Sequence, residues 1–113
     1  MIGTNDDYVP TSFCNDFIIS KVDQDGNLIW TKKYIIDFWV EPQRIVHTTP
    51  GVYFIAINNH IEHPQWGPVV SILILQINDA GDTIHTTRLQ SRWGIILKDM
   101  IPDQNNGVIV TAF

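Results

Sequence analysis

Short apolar runs, punctuated by turn residues, recur along the whole chain. Residues 16–22 and 28–34 are β-rich and flank Asp23-Gln24-Asp25-Gly26-Asn27. That arrangement predicts a hairpin closed by a type I turn with glycine in the left-handed conformation. Asn78-Asp79-Ala80-Gly81-Asp82 sits in the same way between 70–77 and 83–89. A second kind of hairpin joins about 43–48 to 52–57 through Thr49-Pro50-Gly51. Its counterpart joins about 96–101 to 108–113 through Asp103-Gln104-Asn105-Asn106-Gly107. Pro-Gly and Asn-Gly punctuate turns. No segment carries a helical period. Ile35 to Val40 and Trp93 to Leu97 read as loops running into strands. Ile72-Leu73-Ile74-Leu75 is apolar at every position, as is Phe17-Ile18-Ile19. A strand with one wet face would alternate, so these strands need cover on both sides. Small four-stranded antiparallel sheets stacked face to face meet that need better than a two-sheet sandwich.

The pattern also repeats. Residues 16–31 align with 71–86 at an offset of 81 − 26 = 55. Gly51-Val52-Tyr53-Phe54-Ile55-Ala56 aligns with Gly107-Val108-Ile109-Val110-Thr111-Ala112 at 107 − 51 = 56. Ile2-Gly3-Thr4-Asn5 aligns with Ala56-Ile57-Asn58-Asn59 at 56 − 2 = 54. The expected organisation is a single repeat region over 1–113, with two units at roughly 3–57 and 58–113.

Composition narrows the classes. With 44% hydrophobic and 17% charged residues, the 113-residue chain is too apolar to be disordered. Its net charge, 7 − 12 = −5, is wrong for a general nucleic-acid binder. No apolar stretch is long enough for a transmembrane helix, so no membrane insertion is expected. Met1 to Asp7 lacks the basic and apolar segments of a signal peptide. The single cysteine, Cys14, staples nothing and has no catalytic partner in sequence.

The run Asp16 to Tyr34 reads Asp, an apolar stretch, Lys-Val-Asp-x-x-Gly-Asn-Leu-Ile-Trp, then Lys and Tyr. It resembles the propeller-type repeat of large secreted and surface bacterial proteins. The second unit departs from it, with His85 at the Trp30 position and Leu89 at the Tyr34 position. The resemblance implies an all-β fold of four-stranded antiparallel blade repeats. It implies about two propeller-type blades of an incomplete propeller, since closure takes about four to eight. The chain is then a fragment of a longer protein, or a protomer completing a ring with other protomers. Its partners would be the remaining blades, other protomers, or a protein or glycan. The localisation implied is secreted or cell-surface.

Candidate chemistry is sparse. Asp23-x-Asp25-Gly26-Asn27 resembles the opening of a calcium loop, but Tyr34 stands where the bidentate carboxylate belongs, which favours a plain hairpin turn. His60, Glu62 and His63 form the densest cluster of metal ligands, weakened by their place in a loop rather than on a helix. In a propeller, Asn5 to Asn15 and Asn58 to Pro68 would be long loops on one face, joined there by Ile35 to Gln43 and Gln90 to Ile96. That face would carry Tyr8, Phe38, Trp39, His60, His63, Trp66 and Trp93, with Asp6, Asp7, Asn58 and Asn59. Such a surface could stack sugars or grip a protein, and Tyr8, Trp39, His60, His63, Trp66 and Trp93 are its candidate binding residues. No catalytic residue and no cofactor are expected. The reading is a non-catalytic scaffold; its alternative is part of a propeller enzyme, a quinone-dependent dehydrogenase or a glycan-active enzyme, whose site lies on other blades.

Overall fold

A computed structural model describes residues 2–3, 15–36 and 38–113 of the chain. Over these residues the protein is all-β and antiparallel, with no helix. Nine strands form three sheets: β1 (Ile2–Gly3), β2 (Asp16–Val22) and β3 (Leu28–Ile35) make the first, in the order β1-β2-β3. The central sheet is the meander β4-β5-β6-β7, of Trp39–His47, Val52–His63, Gly67–Asn78 and Thr83–Leu89. The hairpin of β8 (Leu97–Pro102) and β9 (Val108–Ala112) makes the third.

The apolar run in β6 explains the stacking. Ile72, Leu73, Ile74 and Leu75 are all buried, and alternation sends them into two different cores. Leu73, Leu75 and Ile77 join Ile55 and Ile57 of β5 against Phe17, Ile19 and Tyr34 of the first sheet. Ile72 and Ile74 join Ala56 and Val46 against Leu97 and Met100 of the third. The central sheet is therefore covered on both faces. On the third-sheet side Arg44 donates from Nε to the Met100 carbonyl at 3.0 Å and pairs with Asp99 at 3.2 Å.

The 23–27 and 78–82 turns share one geometry. Asp23 N–H donates to the Asn27 carbonyl at 2.9 Å, and Asn78 N–H to the Asp82 carbonyl at 3.0 Å. Asp23 Oδ1 accepts the N–H groups of Asp25 and Asn27, as Asn78 Oδ1 accepts those of Ala80 and Asp82. Gly26 and Gly81 both lie at φ +86°, left-handed as their turn requires. The Asp23 carboxylate is thus engaged by its own turn, and those bonds hold its pKa below the usual carboxylate range. In the other hairpin pair, Gly51 (φ 77°) is matched by Asn106 (φ 69°), not by Gly107. The structural offset there is 106 − 51 = 55, so the one-residue slip read from the glycines is corrected.

The first sheet clasps the 78–82 turn with side chains of β3. Trp30 Nε1 donates to the Asp79 carbonyl at 2.9 Å, and the Tyr34 hydroxyl donates to the Gly81 carbonyl at 2.5 Å. Lys32 pairs with Asp82 at 2.5 Å, and Lys21 of β2 pairs with Asp79. Burial near the Asp82 charge pushes the Tyr34 hydroxyl above its ordinary pKa, so it stays a donor.

Candidate functional site

The candidate residues gather at the end of the central sheet opposite that turn. Asn58 to Pro68 is not a loop. β5 and β6 continue as a paired ladder, Asn58↔Ile72 through His63↔Gly67, closed by Pro64, Gln65 and Trp66. Gly67 at φ 74° completes the turn. Trp39 is likewise in a strand, starting β4 opposite His60. Beyond that pair the hairpin tip overhangs its neighbours.

The overhang fixes its side chains from several directions. His60 lies against Trp39, ring centroids 4.2 Å apart, and its Nε2 is 3.1 Å from Glu41 Oε1. His63 stacks on Trp66 at 3.9 Å with 11° between the planes. His63 Nδ1 also accepts the N–H groups of Gln65 and Trp66 at 3.1 and 3.3 Å. Strand alternation puts His60 and Glu62 on one face of β5 and His63 on the other. The proposed ligand trio therefore does not converge, and among the described residues no group of three His, Cys, Asp or Glu side chains could hold a metal ion.

Trp93 reaches the site from a tight turn before β8. Gly94 N–H donates to the Ser91 carbonyl at 2.9 Å, and Ile95 N–H ties the segment to the Val70 carbonyl at 3.0 Å. Trp93 itself is 85% exposed, with the Arg92 guanidinium 4.9 Å over its ring. A hollow of about 580 Å³ lies between the overhang and this segment, walled by His60, Trp66, Val70, Trp93 and Phe113 among others. A second, of about 430 Å³, is lined by Phe38, Trp39, His60, Ile61, Glu62 and Pro68. The two adjoin through His60, Ile61 and Pro68. Trp39, His60, Trp66 and Trp93 thus line one continuous surface, with His63 behind Trp66; Tyr8, Asp6 and Asp7 lie outside the described residues.

Asn58 and Asn59 are not on that surface but buried beneath it. Asn58 Oδ1 accepts the Leu97 N–H at 3.0 Å, tying β8 to β5. Asn59 Nδ2 donates to the Trp39 carbonyl at 3.0 Å, and its Oδ1 accepts from Arg88 at 2.8 Å. Arg88 also donates to Ser71 Oγ at 2.6 Å. Sequence reasoning missed this network, although Asn and Ser interrupting otherwise apolar strands were its visible signal.

The surface presents aromatic planes beside carboxylates, an imidazole and a guanidinium. That set can stack and hydrogen-bond a polar ring or a peptide. No protein-family model, no curated protein and no solved structure matches the chain.

Proposed function

We propose that the chain is a non-catalytic interaction module of β-propeller type, working as a scaffold within a secreted or surface protein. The observation that carries the reading is the central sheet's burial on both faces by separate sheets. A two-layer sandwich would leave one face of β6 wet; serial stacking of like sheets does not. The shared turn geometry at 23–27 and 78–82, one unit apart, supports it further.

The aromatic end is the binding surface in this reading, with a glycan or protein as partner. Glycan stacking is tested by intrinsic tryptophan fluorescence while cellobiose, chitobiose and maltose are titrated in turn. The expected outcome is a saturable shift with one of them, lost in Trp93→Ala while the thermal melt is unchanged. A flat titration with all three removes the glycan arm and leaves a protein partner.

A further inference from the structure

We infer that the outer edge of β2 is the docking site for β9 of a second copy of this chain. The inference extends the stacked-sheet reading above by naming the partner at its open ends. Four observations carry it.

The first is an open edge. β9 pairs with β8 alone among the described strands. Phe113 and Ile96 exchange both backbone bonds, at 2.7 and 3.0 Å. Alternation then turns the N–H and C=O groups of Ala112, Val110 and Val108 to the far side. An edge of this kind recruits strands.

The second is a short described partner. Among the described residues β1 pairs with β2 only at Ile2↔Ile19 and Gly3↔Ile18, two residues against the five of β9.

The third is register. The 55-residue offset maps β9 onto the start of β5 and β2 onto β6, which already pair as Tyr53↔Ile77, Ile55↔Leu75 and Ile57↔Leu73. The same ladder between copies would pair Val108 with Val22, Val110 with Ser20 and Ala112 with Ile18. It joins β8-β9 of one copy to β2-β3 of the next as one four-stranded sheet, with the strand order of the central sheet. A single copy cannot make this sheet, because its first and third sheets lie on opposite faces of the central one.

The fourth is exposed apolar surface. The first sheet leaves Val22, Ile29 and Ile35 exposed on its outer face, and the third leaves Ile101, Ile109 and Phe113 exposed. In the joined sheet each of these faces turns toward the other copy's central sheet. Apolar faces exposed in the single copy are then covered. The contact is heterologous, head to tail, so copies close a ring or string along a line.

The test is light scattering of the 113-residue chain over a range of concentrations, with a thermal melt alongside. The expected result is a particle at an integer multiple of the chain mass, reduced to the single chain by Val110→Pro, which removes an edge donor. As a control against a folding defect in that variant, a Cys14→Ser background carrying Val22→Cys and Val108→Cys is oxidised as well. An intermolecular disulfide is expected there, and none from Val22→Cys with Val110→Cys, which is out of register. A single-chain mass with a cooperative melt overturns the docking and leaves the stacked-sheet reading standing. A multimer indifferent to Val110→Pro and to cysteine register overturns the docking too. Loss of any cooperative melt removes both.

Discussion

Gly26 and Gly81 hold the same left-handed conformation but have different surroundings. A Cβ on Gly26 meets nothing within 4 Å, whereas one on Gly81 meets Lys32 Cδ and the Trp30 ring at 3.0 Å. Gly26→Ala should therefore cost only the backbone strain, about 1–2 kcal/mol. Gly81→Ala adds overpacking against the indole, for a total of about 2–5 kcal/mol. Urea denaturation of the two variants measures the difference; equal losses would mean that the clasp on the 78–82 turn yields freely. At this scale the turn glycines were legible, because a positive φ leaves few residue choices. Asn106 was not, since Asn-Gly offers two candidates for one left-handed position and the polar residue took it. Asn58 and Asn59 were misplaced for a related reason: polarity suggested solvent, while their side chains serve buried backbone groups and Arg88.

At the level of elements, the clasp is also electrostatic, and its pH dependence has a definite sign. Lys21 holds the Asp79 carboxyl below its ordinary pKa, and Lys32 does the same for Asp82. A carboxylate depressed in the folded state contributes stability that is complete above its unfolded pKa, near 3.9, and lost as pH falls through the folded value. The Asp23 turn acts in the same direction. The denaturation midpoint should hold above about pH 5 and drop below about pH 4. The drop should be shallower in an Asp79→Asn, Asp82→Asn double variant, and weaker in high salt because both carboxylates face water. An identical acid limb in the double variant would show that the two pairs add nothing. The hairpins at 16–34, 43–57, 70–89 and 96–113 were readable from turn chemistry and apolar runs. The overhang was not. His60-Ile61-Glu62-His63 followed by Pro64 and Pro68 has the composition of a loop. It pairs all the same, because each strand supplies the other's backbone partners.

At the scale of the molecule, the described residues form two cores sharing one sheet, and β6 belongs to both. Ile72→Ala and Leu75→Ala remove side chains from its opposite faces and should each cost about 2–5 kcal/mol. Hydrogen exchange should then rise mainly in β8 and β9 for the first variant and in β2 and β3 for the second. A uniform rise in both would show that all three sheets open as one unit. The need for cover on both faces was legible in the unbroken apolar run of β6. What covers them was legible only as a stack, not as the assignment of each side chain to a core.

The clasp of β3 on the 78–82 turn is directional: strand side chains on one sheet reach the turn of the next. The positions 55 residues after Trp30 and Tyr34 hold His85 and Leu89, so the indole and phenol donors of the clasp have no counterpart in β7. The central sheet meets the third sheet through a different contact, Arg44 to Asp99 and the Met100 carbonyl. The two seams of the molecule are therefore chemically distinct, and a sheet that fits one has no ready-made fit to the other.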